Sequence, residues 1–440
     1  MPERSGSRVT FSGLLANVMV ALKLKEGWEN YKQISTEEEG HVALVSPSVY
    51  RDGHDVDHDD AEAIGLINGT DAVTQPKRKR ARCCVCCGLD CSLFWKAFGI
   101  VCALFALWNA FKLISWAVTP KPTGLENMPE YSMSLGCVSA PYIYGGGPIT
   151  VEAPVGKESA DHGFDTRGGA VGTVTLLEGS PTDTKVRYEV TVRTDNEALL
   201  DNVLLDYSSQ PAKVSNFIIT TPRPGEGHCM RYDVKMYIPP NLKRLHVASH
   251  TIAHVQFDPE SYIQLDDLFV TLFSPTSSNI ILPHNNLLAH RMTLEVYNGW
   301  IVGDATVQGT TKLTTQRGQG VLNVRVHPTD PVDPASPDAA ILRTTTGSGR
   351  TDIFYVEHEG HVHRPISSIH MSSMNAPMYL TYRDAQYNGR IELGSKSYTA
   401  TGVQKLAAGA VDGTWTHTVG DVNGKDELVI KSRGWTGLYF

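Results

Sequence analysis

A histidine cluster near residue 360 is the densest group of side chains in this sequence that could do chemistry. The stretch VEHEGHVHRPISSIH contains His358, His361 and His363. On a β-strand, His361 and His363 point to the same face about 7 Å apart, so they could share a metal ion with His358 as a third ligand. Neutral imidazole binds zinc or copper. The sequence predicts a metal site at these three histidines, and an exposed loop without metal is the alternative.

Adjacent carboxylates are a second candidate for chemistry. Asp266 and Asp267 resemble the acid pair of a glycosidase, but neighbours on a strand point to opposite faces unless the backbone bulges. We therefore expect both at a turn or a solvated edge. The sequence contains no G-x-S-x-G elbow, P-loop or dinucleotide fingerprint. These patterns predict a protein that is not an enzyme and that carries no cofactor.

A cysteine cluster follows a run of basic residues. The cysteines are Cys83, Cys84, Cys86 and Cys87, and the cations before them are Lys77, Arg78, Lys79, Arg80 and Arg82. Cysteines between cations and a membrane span are typical palmitoylation sites, because acyl chains and positive charge both favour an anionic lipid surface. We predict lipidation of the four cysteines. A zinc site and unmodified thiols are the alternatives.

Cys137 and Cys229 are the two cysteines of the long C-terminal part. If this part is exported to an oxidising compartment, the two can form a disulfide. Two buried thiols are the alternative.

Residues 97–118, AFGIVCALFALWNAFKLISWAV, predict a transmembrane helix. A helix of this length is about 33 Å long and crosses a hydrocarbon core of about 30 Å. Asn109, Lys112 and Ser115 interrupt the run, but Lys112 is near enough to the end for its ammonium group to reach the interface. The cations lie almost entirely before the span. The positive-inside rule therefore predicts a single-pass type II protein, with a cytoplasmic N-terminus and an extracellular or lumenal C-terminal domain.

Composition and charge predict how the rest of the chain is organised into segments. The net charge of −8 offers no general attraction to nucleic acid. Residues 1–76 have few aromatics and several charge-rich patches, which predicts a disordered cytoplasmic region. A basic, Cys-rich juxtamembrane segment (residues 77–96), the span (97–118), a linker (119–137) and a large domain (138–440) follow.

The large domain is predicted to be all-β. Val186, Tyr188, Val190 and Val192 alternate with polar residues, and the same period of two recurs through Val234, Met236 and Ile238, through Leu268, Val270 and Leu272, and through Leu322, Val324 and Val326. Asn-Gly and Asp-Gly turn signals separate such stretches. Glycine-marked corners favour a β-solenoid, with an elongated β-sandwich as the alternative.

Two long passages resemble a known kind of domain. YDVKMYIPPNLKRLHVASHTIAHVQFDP and VYNGWIVGDATVQGTTKLTTQRGQGVLNVRV are similar to the repeats of adhesin-like β-repeat domains of unknown function. The similarity covers roughly residues 186–440. The whole layout, ending in RGWTGLYF, resembles uncharacterised membrane-anchored proteins of filamentous fungi. The resemblance implies a β-repeat fold and a surface role, and it transfers no site residue.

The leading functional hypothesis is a membrane-tethered, non-enzymatic β-repeat domain. It would bind cell-wall polysaccharide or a surface protein, and its other partner would be the lipid bilayer. Tyr142, Tyr144 and Trp300 are candidate rings for stacking on sugars. A carbohydrate-active β-helix enzyme and an intracellular scaffold are the alternatives.

Overall fold

The computed structural model describes residues 11–34, 85–86, 89–118, 123–210, 212–356, 362–407 and 414–440. The chain divides into two compact units, Met1–Lys121 and Pro122–Phe440. The described helices of more than two turns belong to the first unit, and the large sheet belongs to the second.

The described part of the first unit contains two helices and a small hairpin. Its elements are α1 (Phe11–Ile34), β1 (Val85–Cys86), β2 (Leu89–Asp90) and α2 (Cys91–Val118). Helix α1 lies within residues 1–76, which the sequence predicts to be disordered, and the other residues of that region lie outside the described residues. The segment is rich in leucine, alanine, lysine and glutamate, which all have high helix propensity.

Helix α2 is long and apolar enough to cross a membrane between Phe94 and Ser115. Most of its large apolar side chains are exposed, as lipid-facing side chains would be. Two of the polar residues within it form local hydrogen bonds. The Asn109 side chain donates to the Phe105 carbonyl at 2.8 Å, and the Ser115 hydroxyl donates to the Lys112 carbonyl at 3.0 Å. Such backbone bonds reduce the cost of placing these groups in an apolar environment.

The regular secondary structure described in the second unit is almost entirely β-strand, which confirms the all-β prediction. Three short 3₁₀ helices lie at Met133–Leu135, Tyr144–Gly146 and Glu197–Asn202. The strands of the first half are β3 (Tyr142–Ile143), β4 (Ile149–Pro154), β5 (Asp161–Arg167), β6 (Val171–Glu178), β7 (Lys185–Thr194), β8 (Leu204–Tyr207), β9 (Asn216–Thr220), β10 (Met230–Ile238), β11 (Arg244–Ser249), β12 (Ala253–Phe257), β13 (Ile263–Leu272) and β14 (Asn279–Leu282). Those of the second half are β15 (Leu287–Val296), β16 (Gly299–Val307), β17 (Thr310–Thr315), β18 (Val321–Pro328), β19 (Ala340–Thr346), β20 (Thr351–Val356), β21 (Ile366–Ser372), β22 (Met378–Asp384), β23 (Gly389–Thr401), β24 (Gln404–Lys405), β25 (His417–Val419) and β26 (Asp426–Tyr439).

The strands form two parallel ladders, and each turn of the chain adds one strand to each ladder. The first ladder contains β5, β11, β13, β15, β17, β19, β21 and the first half of β26. The second contains β6, β12, β14, β16, β18, β20, β22 and the second half of β26. Arg244 pairs with Asp267, Asp267 with Arg291 and Arg291 with Thr310, so the number of residues per turn varies.

The hydrophobic core lies between the two ladders. The predicted inward residues are buried, including Val186, Val190, Leu268, Leu272 and Val324. They join one continuous cluster along the second unit. Because alternate residues of a strand point to opposite sides, the residues between them form the outer sides of the ladders.

Both ends of the ladders are capped by other strands. At one end, β10 pairs parallel with β6, and β7 pairs antiparallel with both β10 and β4. Beside the first ladder, β9 pairs parallel with β5 and antiparallel with β8. At the other end β26 lies between β21–β22 and β23. Residues 389–391 of β23 then pair with β25. These additions reduce the exposed sheet edge on which another chain could add a strand.

Candidate functional site

The predicted metal ligands are described only in part. His358 and His361 lie outside the described residues, so the metal site stays a prediction. The Nε2 atom of His363 lies 3.2 Å from both carboxylate oxygens of the buried Asp426, which also accepts two backbone N–H hydrogen bonds. Within the described ranges, no three His, Cys, Asp or Glu side chains are grouped to hold a metal ion.

The predicted lipidation sites are also largely outside the described residues. This applies to Cys83, Cys84 and Cys87, whereas Cys86 lies on β1. Lipidation of the four cysteines therefore stays a prediction.

Residues 123–137, here called the strap, cover part of the outer side of the second ladder. Leu125 and Met128 pack against Ile280, Trp300 and Val321, which lie on the neighbouring strands β14, β16 and β18. Trp300 is only 8% exposed, and its indole N–H donates to a backbone carbonyl. The expectation that this ring is free to stack on a sugar is therefore wrong, because the strap covers it.

The strap ends at a covalent link and a group of hydrogen bonds. Cys137 and Cys229 form a disulfide, with their Cα atoms 5.8 Å apart. The buried Arg231 donates to the Ser132 carbonyl at 2.7 Å, and Asp233 holds the same guanidinium. These contacts fix the strap to β10, the last strand of the N-terminal cap.

His254 forms a further anchor for the strap. Its Nδ1 accepts a hydrogen bond from the Ser132 backbone N–H at 2.9 Å, and its Nε2 lies 2.9 Å from the Ser278 carbonyl. The two partners require a neutral ring that carries its proton on Nε2. Burial lowers the pKa of His254 to about 4. The ring is therefore neutral near pH 7, in the state that these two hydrogen bonds need.

The outer side of the first ladder, here called the first-ladder face, presents aromatic and histidine side chains. Phe269 and Phe273 on and just after β13 are 41% and 43% exposed. His246 lies edge-on to Phe269, and His250 stacks on Phe273 with ring centroids 4.6 Å apart. The half-buried Thr271 lies between the two phenylalanines. Each His–Phe pair forms because residues in register on adjacent parallel strands lie about 4.8 Å apart.

Polar groups border these rings. Asp165 on β5 lies 3.7 Å from the His250 Nε2 atom and also pairs with Arg167. On the other side, the Arg317 guanidinium lies over the Tyr297 ring at 5.4 Å. An apolar platform with hydrogen-bonding groups at its edge has the composition of a site that binds sugars or protein side chains.

Asp267 is neither at a turn nor at a solvated edge, so that expectation is wrong. It is buried and forms a two-pronged ion pair with Arg291 and a second ion pair with Arg244. The backbone bulges here, because the N–H groups of Asp266 and Asp267 both donate to the Lys243 carbonyl. The bulge turns the Asp267 side chain towards the arginines of the strands on either side, and Asp266 remains exposed. Asp267 therefore stabilises the ladder through its ion pairs, and the two aspartates do not converge as the acid pair of a glycosidase would.

A cavity of about 350 Å³ lies where the ends of β6 and β10 meet the start of β13. Glu178, Pro239, Lys243, Tyr262 and Gln264 are among its lining residues. Glu178 is its single lining carboxylate and accepts a hydrogen bond from the Tyr262 backbone N–H at 3.0 Å. Glycoside hydrolysis generally uses two carboxylates on opposite sides of the bond. The lining of this cavity therefore does not provide the pair of carboxylates that this chemistry uses.

Sequence reasoning missed the first-ladder face, although a signal for it was present. Leu268, Val270 and Leu272 were predicted to point inward, and this placement is confirmed. The same alternation places Phe269, Thr271 and Phe273 outward. Two phenylalanines on the polar side of a strand form an exposed apolar patch, which the alternation alone could have revealed.

Comparisons with known proteins identify no family for the chain. No protein-family model matches it, and no curated protein matches it. Two solved structures align with 66% of the chain. One is a "putative cell adhesion protein" from Clostridium sporogenes, with 10% identity, 98% of its own length covered and a TM-score of 0.20. The other is a "putative adhesin" from Bacteroides fragilis, with 12% identity, 96% covered and a TM-score of 0.31. Likeness at this level carries no argument about function.

Proposed function

We propose that this protein is a membrane-tethered, non-enzymatic binding protein with an adhesin-like β-solenoid domain. The first-ladder face is its binding surface, and its partner is a polysaccharide or a surface protein. The observation that carries the proposal is the contrast between the two ladders. The strap covers apolar residues on the second ladder, whereas Phe269 and Phe273 stay exposed on the first.

The tether in this proposal is helix α2. Its length and apolar surface support a span, and the cations at residues 77–82 support a cytoplasmic N-terminus. The disulfide between Cys137 and Cys229 supports an extracellular or lumenal β-domain, because disulfides persist mainly in oxidising compartments. Two independent features therefore favour the same side of the membrane.

A binding role also agrees with the chemistry of the first-ladder face. Its central side chains are aromatic rings, imidazoles and a threonine, held on rigid paired strands. A rigid surface loses little conformational entropy when it binds. Aromatic rings also lose little conformational entropy on binding, and each provides a large contact area.

The test is an array of glycans and surface proteins, probed with the full-length protein in lipid nanodiscs. We expect binding that falls about tenfold or more in the double variant Phe269→Ser/Phe273→Ser, since each buried ring contributes on the order of 1 kcal/mol or more. Phe354→Ser is the matched control. Phe354 lies on the second-ladder strand β20, is 37% exposed, and should be dispensable. No binding to any ligand, or equal loss in both variants, would contradict the proposal.

A further inference from the structure

The half of the first-ladder face formed by the later strands is rich in cations. Lys312 on β17 lies opposite Arg343 on β19 in the parallel register, and both side chains are exposed. Among the described residues, neither forms an ion pair. Like charges directly opposite each other on adjacent strands repel. The arrangement therefore stabilises the fold less than a neutral pair would, and an anion bound across both cations would remove the repulsion.

A groove lies next to Lys312 and Arg343 on the same face, and together they form what is here called the cationic surface. The groove has a volume of about 400 Å³, and its lining residues are Thr345, Met371, Ser372, Ser373, Gly394, Lys431, Ser432 and Arg433. Gly394 carries no side chain, so it leaves the floor open beside Lys431, its neighbour in register. The groove thus combines two further cations with several hydroxyl groups and an exposed methionine. Hydroxyl and cationic donors together suit carboxylate or sulfate oxygens.

The acidic residues on this part of the face do not cancel the cations. Glu392 lies 4.0 Å from the Lys431 ammonium, and Glu295 accepts a hydrogen bond from Gln316. The cations Lys312, Arg343, Lys431 and Arg433 outnumber these two carboxylates, and a third carboxylate on this part of the face, Glu427, is paired with a further cation, Arg390. The whole chain has a net charge of −8, so the positive charge is local to this surface.

We propose that this cationic surface binds an acidic polysaccharide, one whose sugars carry carboxylate or sulfate groups. The inference rests on the proposed binding function and names the class of ligand. Parallel strands repeat about every 4.8 Å, so the surface offers charges and hydroxyls at regular steps along one direction, as a charged polymer requires. The exposed rings of Phe269 and Phe273 continue the same face and offer stacking platforms for further sugars.

The test measures binding of the full-length protein in nanodiscs to polygalacturonate, to its methyl ester and to a neutral glucan. We expect polygalacturonate to bind at least tenfold more tightly than the other two, with an affinity that falls as salt increases. Lys312→Glu/Arg343→Glu should abolish this preference, and Lys312→Gln/Arg343→Gln should weaken it by about tenfold. The glutamine variant should melt at or slightly above the wild-type temperature, because it removes the repulsion between Lys312 and Arg343, and the glutamate variant should melt close to it, because the two side chains are exposed.

The matched control is Arg325→Glu/Lys405→Glu, which changes the net charge equally. Arg325 lies on the second ladder and Lys405 on β24, and both are exposed. This control should retain the preference. Equal loss in the control, equal binding to the ester, or tighter binding to single-stranded DNA would overturn the inference. Binding to neutral glucan without preference, or no binding to any of the three polysaccharides, would overturn the inference. The proposed function would still stand or fall on its own test with the array of glycans and surface proteins.

Discussion

Lowering the pH from 7 to 4 is expected to decrease the free energy of unfolding of the β-domain by about 3 kcal/mol for each of its most buried histidines. Burial lowers the pKa of His162 to about 4 and that of His370 to about 3. Both rings are held between hydroxyl groups inside the core. His370 lies 2.8 Å from the Thr344 hydroxyl and 2.8 Å from the Tyr382 hydroxyl, and His162 contacts the Ser215 and Tyr188 hydroxyls.

The direction of this effect follows from proton binding. In the unfolded chain these histidines take up protons below about pH 6.5, whereas in the folded protein they stay neutral until the pH approaches their lowered pKa. The stability is therefore fully present above pH 6.5 and is lost as the pH falls towards 4. His254 should contribute in the same direction, and its protonation also removes the acceptor for the Ser132 N–H of the strap.

The measurement is denaturant unfolding of the full-length protein in detergent between pH 7.5 and pH 4. His370→Gln keeps a polar group in the core and should flatten the pH dependence, although it also lowers stability at pH 7. Phe354→Ser alters an exposed side chain that does not titrate and should leave the pH dependence unchanged. A free energy of unfolding that stays constant from pH 7 to pH 4.5 would show that these histidines do not behave as buried neutral groups.

Removing the disulfide should produce the second large effect. Cys137→Ser/Cys229→Ser is expected to lower the free energy of unfolding by about 2–4 kcal/mol, because the cross-link restricts an unfolded chain in which the two cysteines are 92 residues apart. The strap should also open more often. We therefore expect faster hydrogen exchange at the Ser132 amide, which is hydrogen-bonded to His254.

The control for this prediction is Cys102→Ser. Cys102 is an exposed free cysteine in α2, and its replacement should not change the stability of the β-domain. A reducing agent should reproduce the double variant in the wild type and have no effect on the variant itself. Unchanged exchange at Ser132 after reduction would mean that the noncovalent contacts of Arg231 and His254 hold the strap without the disulfide.

The sequence predicts much of the core, because burial there follows a local pattern. Alternation at Val186–Val192 and at Leu268–Leu272 identifies inward residues without knowledge of pairing partners. It does not distinguish parallel from antiparallel ladders, since both have the same period of two. The local sequence also does not predict that β26 lies between β22 and β23, because this placement depends on pairing over long sequence distances.

In the candidate site, too, the sequence predicts which residues point outward but not which residues pair with each other. The outward placement of Phe269 follows from the alternation, but its pairing with His246 depends on the register between two turns. Asp267 was misplaced because a bulge breaks the alternation that the prediction assumed. The strap carries no periodic pattern, so nothing in residues 123–137 indicates that they cover Trp300.

The central claim is that the β-domain is a membrane-tethered binding domain on the extracellular or lumenal side. Determining the location of the β-domain tests this claim most directly, because binding at a cell surface requires both a tether and export. The measurements are protease protection of the full-length protein in sealed microsomes and, on a separate sample, extraction of the membranes with carbonate. We expect the protein to stay in the membrane pellet and a fragment containing residues 123–440 to survive protease until detergent is added. Release by carbonate, or digestion of that fragment in intact microsomes, would contradict the account.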